Sequence, residues 1–319
     1  MRNLASIQEI WKIEPIDNAD RIELAHVLGW QCVVPKGEYH AGDKVIFFEP
    51  DSFLPIRPEY EFLRPSSYKK TDYMGEGFLI TSRHLRGQLS QGLIMPCTVK
   101  LKVGTDVTDM LGVRKYEIPE YATTQGNIIG KLPPSVPHTN ETRVQAEPDL
   151  LKAFNGVPYY ISTKLDGSSH SISLDYKGFH VCDHNYEYKD GSFYDYITER
   201  RLDELINKHI TIQGEFCGPG IQKNYLRLLK PEWFVFTIIE DNKRVGLERM
   251  HWLCEKYKLK HVPIEEVDVD LPSKYPNIEA LLRRARGDKE GIVIRPMTPV
   301  WNEQINDWLS VKVINTDYE

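Results

Sequence analysis

Ile161-Ser162-Thr163-Lys164-Leu165-Asp166-Gly167-Ser168-Ser169 is the stretch around which the rest of the chain is organised. An aromatic and β-branched run, Val157 to Thr163, precedes the lysine and predicts a strand. Asp166-Gly167 is a turn signal, and His170-Ser171-Ile172-Ser173-Leu174 alternates into a second strand. Lys164 is therefore expected at a strand end, against a tight turn, with a carboxylate two residues away. A lysine so held is a candidate nucleophile. Alone the signal is weak, because chance supplies K-x-D-G in roughly one chain of this length in twelve. A solvated hairpin with a surface lysine is the plain alternative, and the residues downstream of Ser169 decide between them.

Beyond that hairpin, charge recurs at strand ends. Thr211-Ile212-Gln213-Gly214-Glu215-Phe216 reads as a strand that stops at Cys217-Gly218-Pro219-Gly220. Trp233 to Ile239 is wholly apolar but for one threonine. Glu290-Gly291-Ile292-Val293-Ile294-Arg295-Pro296 and Trp308 to Ile314, with Lys312 between two valines, are the last strands. A buried-strand pattern has no structural use for an acid at Glu215 or a cation at Lys312, since a buried charge is costly unless paired or on a metal. Two carboxylates and two cations converging on one cleft suit a nucleotide phosphate plus a divalent metal. Helical spacing is expected over Tyr196 to His209 and Leu247 to Leu259. Another helix is expected from an N-cap at Asn277 to Gly287. This second domain reads as α+β, built on antiparallel strands with flanking helices.

Upstream, short strands alternate with turns: Arg21 to Val27, Gln31 to Pro35, Lys44 to Glu49, Gly77 to Thr81 and Ser90 to Met95. That spacing predicts a small β-barrel, most economically five-stranded. Arg83, His84 and Arg86 form a small basic cluster suited to phosphate, or merely solvated. Ile118-Pro119, Thr123-Thr124-Gln125-Gly126 and the Pro-rich Lys131 to Pro137 read as an extended, semi-rigid connector. The expected division is thus 1–115, a linker 116–138, and 139–319. Thr139 to Gln145 is too polar for core and reads as a capped helix start.

The length of 319 residues suits about two domains. No apolar run approaches the roughly 20 residues of a membrane span, and Met1-Arg2-Asn3-Leu4 opens no signal-peptide pattern. Five scattered cysteines without a C-x-x-C pair argue against zinc and against a disulfide framework, and suit a reducing cytoplasm. A net charge of −6 leaves any nucleic-acid contact to a local basic face.

These residues carry two resemblances. Ile13-x-Pro15-x-x-x-Ala19-Asp20-x-x-x-Leu24 and Ser82 to Leu93 look like OB-type tRNA-binding domains. The ordered set Lys164-Leu165-Asp166-Gly167, Gly214-Glu215-Phe216, Phe234-Val235-Phe236, Glu290 to Ile294 and Val311 to Ile314 resembles the covalent nucleotidyltransferase superfamily of polynucleotide ligases and capping enzymes. That likeness spans about residues 139 to 315. Gly218 to Asn224 and Arg143-Val144-Gln145 narrow it to RNA ligases. An OB domain ahead of an ATP-grasp-like ligase domain is similar to the fifth RNA ligase family, whose members join RNA ends using ATP.

The resemblance implies that Lys164 is the nucleophile. It places Arg143, Thr163, Asp166, Gly167, Glu215, Phe236, Glu290, Ile292 and Lys312 with Lys164 around ATP. Asp166, Glu215 and Glu290 would hold Mg²⁺ or Mn²⁺, Phe236 and Ile292 would sandwich adenine, and Arg143 and Lys312 would take phosphates. It implies lysyl-AMP and RNA-adenylate intermediates, and a monomer acting on nicked duplex or broken RNA, in RNA repair. Two positions depart from the pattern: Ser310 stands where the superfamily often has lysine, and Thr163 where many relatives have an acid.

Lysine must attack as the free amine, and deprotonation at pH 7 from a pKa near 10.4 costs about 4.6 kcal/mol. Arg143, Lys312 and a metal would lower that cost, while Asp166 and Glu290 alone would raise it, so metal is expected to be required. A GTP-dependent capping guanylyltransferase is one rival, but such enzymes place an OB domain after the last motif and only seven residues come after Lys312. A non-catalytic OB-type RNA-binding protein is the other, and it predicts loss of an acid or lysine of the set.

Overall fold

The computed structural model describes residues 3–117 and 126–318 and divides into two compact units. The first comprises Met1–Pro119 with Gln145–Pro148, the second Glu120–Val144 with Asp149–Tyr318.

The first unit is organised by one long strand, Ala5–Pro15. A bulge between Ile10 and Lys12 changes its partner: residues before it pair with Lys44–Phe48, those after it mostly with Ile22–Val27. Bulges bend and twist the strand that carries them, so one strand serves both halves of a curled five-stranded sheet, completed by Trp30–Pro35 and Leu93–Pro96. Phe47 and Phe48 point to opposite faces yet both are fully buried, one packed with Trp30 and Ile10, the other with Leu54 and Phe78. A smaller sheet of Arg114–Lys115, Ser52–Leu54, Gly75–Leu79 and Tyr68–Thr71 adjoins the second of these cores. The expected strands are present. The first strand is not apparent in the sequence because its alternation slips at the bulge.

The second unit holds two sheets. The larger has eight strands, in the order Ile128–Lys131, Tyr186–Tyr188, Phe179–Cys182, Ser168–Leu174, Ile210–Cys217, Glu232–Glu240 and Lys243–Arg244, with Lys260–His261 pairing parallel to Glu232–Glu240. The smaller has five: Thr142–Arg143, Val311–Ile314, Gly291–Pro296, Pro158–Lys164 and Ile264–Val269. Each sheet buries its outer face under helices. Phe193, Tyr196 and Ile197 of helix Ser192–Glu199 and Met250 and Leu253 of helix Leu247–Tyr257 cover Ile172, Ile212, Phe216 and Trp233. Leu281 and Ala285 cover Tyr159, Ile161, Ile292 and Ile294. Each such aliphatic or aromatic side chain contributes about 1.5–3 kcal/mol by leaving water.

Three expectations are corrected. Of the expected connector, residues 126–138 belong to the second unit's structure: Ile128–Lys131 is an edge strand of the large sheet, and Ser135 and Pro137 give their carbonyls to Thr211 (2.8 Å) and Gln213 (2.7 Å) on that sheet's inner face. Ile118-Pro119 and Thr123-Thr124-Gln125 lie outside the described residues. The helix expected over Tyr196 to His209 is two short ones, Ser192–Glu199 and Leu202–Leu205, separated where Arg201 takes a left-handed φ of 54°. Thr139 to Gln145 starts no helix, since Thr142–Arg143 pairs parallel with Val311-Lys312. The Asn277 cap stands as expected, its side chain accepting from the Ala280 N–H at 2.9 Å.

Among the described residues no helix is long and apolar enough to cross a membrane.

Candidate active site

The inner faces of the two sheets meet in a cleft, and β-periodicity selects its lining. On Pro158–Lys164, Tyr159 and Ile161 turn to the core, so Ser162 and Lys164 turn the other way. Register carries the pattern across the sheet. Ser162 pairs with Val293, Val293 with Lys312, and Tyr160 with Arg295. Val293, Arg295 and Lys312 therefore join Lys164 along one wall. The opposite wall carries Ser169, Glu215 and Phe236 from the large sheet, with Thr139 and Glu141 from the segment lying across it. The cleft holds about 220 Å³.

Lys164 stands at the end of its strand, as expected, opposite Gly291. Its Nζ donates to Glu290 Oε2 at 2.5 Å, a short charge-assisted bond. Burial pulls the lysine pKa down, but Glu290 and then Glu215 and Glu141 outweigh burial and hold it above the ordinary value. The amine is thus a protonated cation in this arrangement. Two glycines let the parts approach. A Cβ on Gly167 would sit 2.5 Å from the Phe216 carbonyl and 2.9 Å from Glu215 Cγ, and one on Gly291 would collide with the Val313 carbonyl. Gly167 also donates its N–H to Glu215 Oε1 at 3.1 Å, which fixes that carboxyl beside the lysine.

Glu215 itself is pushed up to about 8, chiefly by burial and then by Glu290 and Asp166, against the opposing pull of Lys164. Asp166 and Glu290 lie on the other flank of Lys164, in a smaller recess with Asn224 and Tyr225. Among the described residues no three His, Cys, Asp or Glu side chains form a preformed metal cluster. The expected trio of Asp166, Glu215 and Glu290 thus surrounds the lysine without converging on one point, because Glu290 is engaged by the ammonium and Glu215 by Gly167. The donor set nonetheless fits a hard divalent cation: carboxylate oxygens only, carrying more negative charge than the protein compensates.

An acid whose pKa rises on folding favours the fold most while protonated. Its contribution is full below about 4.5 and is lost as pH climbs toward 8. Glu215→Gln is therefore expected to raise the stability of the metal-free protein at pH 8 by about 1–3 kcal/mol while changing it little at pH 5. Denaturant melts in chelator at both pH values measure this. Equal stability of the two proteins at pH 8 would show that Glu215 carries no uncompensated charge.

Two expected residues fall elsewhere, and a third lines the cleft with its hydroxyl otherwise engaged. Ile292 is fully buried in the core behind the small sheet, paired with Thr163, and Val293 takes the cleft position instead. A one-residue step reverses the face of a strand side chain. Arg143 is buried on the edge strand, three strand spacings or roughly 14 Å from that of Lys164, and does not line the cleft. Thr163 borders the cleft, but its hydroxyl donates to Glu265 at 2.7 Å, a carboxylate also bonded by Arg284 and Lys289. Phe236 and Lys312 line the cleft as expected.

Arg295 and Glu141 carry no signal that local sequence pattern reveals. Arg295 is 4% exposed, and its guanidinium donates to Glu141, to the Phe236 carbonyl and to Ser310 Oγ (3.0 Å). Arg295 thus lies against Ser310, the position where a lysine was missing. Burial opposes the charge on Glu141, yet Arg295, Arg244 and Lys312 pull its carboxyl down to about 2. In the first unit, Arg83 is tied to Ser66, Ser67 and Thr81, while His84 and Arg86 stand exposed on a hairpin of Arg83–Leu85 and Gln88–Ser90.

Two family models match the chain: an OB-fold domain over residues 4–97 and RNA ligase over residues 157–314. None of the curated proteins compared matches it. Among solved structures, an RNA ligase of Naegleria gruberi with pyrophosphate is 28% identical, with a TM-score of 0.88, covering 100% of this chain and 98% of its own. A glutamate-to-alanine mutant of that ligase with ATP and Mn is 28% identical (TM-score 0.88), covering 99% of this chain and 98% of its own. A lysine-to-methionine mutant with AMP and Mn is likewise 28% identical (TM-score 0.89), with the same coverage. With Lys164 and Lys312 in register along a two-sheet cleft, Glu290 bonded to that lysine and an OB-fold match preceding it in the sequence, the chain belongs to the RNA ligase family.

Proposed function

We propose that this RNA ligase joins a 3′-hydroxyl RNA end to a 5′-phosphate end using ATP and a divalent metal, through an AMP adduct on Lys164. The observation that carries the reading is the placement of Lys164 Nζ on Glu290, with Glu215 fixed nearby, in a cleft walled by Lys312 and Phe236. The Naegleria ligase structures with ATP and with AMP, each with Mn, support the nucleotide and metal.

Lys164 Nζ attacks the α-phosphorus of ATP, forming the N–P bond as pyrophosphate leaves. The 5′-phosphate oxygen of RNA then displaces the lysine, giving an RNA end capped by AMP. Last, the 3′-hydroxyl oxygen attacks the RNA 5′-phosphorus and AMP departs. In the first step Phe236 and Val293 flank the base, and Lys312 takes phosphate charge that accumulates as pyrophosphate leaves. Asp166, Glu215 and Glu290 would hold the metal, which would neutralise phosphate charge and draw the carboxylates away from the lysine. The amine must shed its proton before attack. Glu290 is the residue in contact with it, so engaging Glu290 elsewhere lowers the cost of deprotonation.

RNA repair is the role this chemistry serves, since it rejoins broken strands without templated synthesis. A gel assay with a 5′-phosphorylated strand, a 3′-hydroxyl strand, ATP and Mg²⁺ or Mn²⁺ is expected to yield joined RNA. Excess chelator should abolish the product. Joining that proceeds fully in chelator, or with GTP alone, would overturn the reading.

A further inference from the structure

In a chain of net charge −6, residues 218–231 carry Lys223, Arg227 and Lys230 and no acid. Elsewhere a number of surface cations face a carboxylate, among them Lys70 on Glu76, Lys152 on Asp149 and Arg249 on Glu240. Among the described residues, none of the loop's three cations makes an ion pair. All three are exposed. The loop also presents apolar and aromatic surface to solvent, with Tyr225 at 44% and Leu229 at 94%.

The loop is built rather than loose. Asn224 caps its own turn, exchanging bonds of 3.1 Å with both the N–H and the carbonyl of Leu228. Gln222, Asn224 and Arg227 all adopt left-handed φ values of 44–50°, and non-glycine residues take up such a conformation only when the surroundings hold them there. One end is fastened to the reaction centre. The Lys223 N–H donates to Asp166 Oδ2 at 3.4 Å, and Asn224 and Tyr225 wall the recess that holds Lys164, Asp166 and Glu290. Tyr225 packs at 4.9 Å against Tyr318, with the Lys223 ammonium 4.7 Å from the Tyr318 ring.

We infer that the 218–231 loop is the seat of the RNA strand that presents its 5′-phosphate to Lys164. Lys223, Arg227 and Lys230 contact successive phosphates, and Tyr225 offers a ring for a base to stack on. Exposed cations interleaved with an aromatic side chain are what a single strand requires, because backbone charge supplies affinity and ring stacking tolerates any sequence. The recess behind the loop shares Thr163, Lys164 and Leu165 with the nucleotide cleft, which places the loop beside the lysine. This inference rests on the ligase reading and adds where that ligase holds its substrate.

The test is fluorescence anisotropy of the full chain with a 5′-phosphorylated single-stranded RNA, read across 50–200 mM salt. Wild type is compared with the triple variant Lys223→Gln, Arg227→Gln, Lys230→Gln. Each lost phosphate contact should reduce the magnitude of the log–log salt slope by about 0.7. The triple variant should therefore lose about 2 units of slope and on the order of ten- to hundredfold in affinity at low salt. A charge-preserving variant, Lys223→Arg, Arg227→Lys, Lys230→Arg, should keep the wild-type slope. An unchanged slope in the glutamine variant, or an equal loss in the charge-preserving one, overturns the assignment. Labelling of the wild-type protein by ATP is run alongside. Failure there sinks the ligase reading and leaves the RNA measurement to stand alone.

Discussion

Lys164→Ala is expected to reduce ATP-driven joining of a 5′-phosphorylated RNA to background. Joining of a strand that already carries 5′-AMP should survive at a measurable rate. The first loss follows from chemistry: no neighbouring side chain replaces the nucleophile, since Lys312 stands two strands away and Lys289 is held on Glu265. A missing covalent nucleophile removes the step rather than slowing it. The survival follows because the last step uses the RNA's own hydroxyl and phosphate, with Asp166, Glu215 and Glu290 still in place. Removing Lys164 also removes the ammonium from Glu290, leaving three carboxylates around an empty position. The alanine variant should therefore depend more steeply on metal than wild type. Gel assays with the two RNA substrates over a metal titration measure both effects. Wild-type joining by Lys164→Ala with ATP would remove the lysine from the mechanism.

Arg295→Met is expected to cost about 3–5 kcal/mol of stability, the range found when one partner of a buried ion pair is removed. The guanidinium spends its donors on Glu141, the Phe236 carbonyl and Ser310. Methionine of similar length fills space but leaves a buried carboxylate with only Arg244 and Lys312 to oppose burial. The cost should depend on pH. Glu141 is held down at about 2, so its contribution is present above the ordinary carboxylate range and lost as pH falls toward 2. The deficit of Arg295→Met should thus shrink in acid. Adding Glu141→Gln should recover part of it at pH 7. Urea unfolding of the single and double variants tests this. A loss below about 1 kcal/mol in the single variant would mean that the pair is solvent-screened.

The sequence disclosed the site where charge interrupts apolar strands. Lys164 before Asp166-Gly167, Glu215 inside Gln213 to Phe216, and Lys312 between valines each stand out because a buried strand has no other use for them. All three border the cleft. What stayed hidden depended on parity and on long-range pairing. Ile292-Val293-Ile294 offers no alternation, so nothing local tells which residue faces the nucleotide, and only the pairing of Ser162 with Val293 decides it. Arg295 reads as a strand end, and Glu141 as part of a polar stretch. Their partnership joins residues 154 positions apart. The strand Ile128–Lys131 is lost in a Pro-rich neighbourhood because an edge strand needs only one partner to form.

The most direct measurement is transfer of label from α-labelled ATP, GTP or NAD onto the full chain with Mg²⁺ or Mn²⁺, comparing wild type with Lys164→Ala. Label from ATP alone, absent from the variant and mapped to Lys164 by peptide mass, is the expected result. Label from GTP, label retained by Lys164→Ala, or no label from any donor on a folded wild-type protein would contradict it.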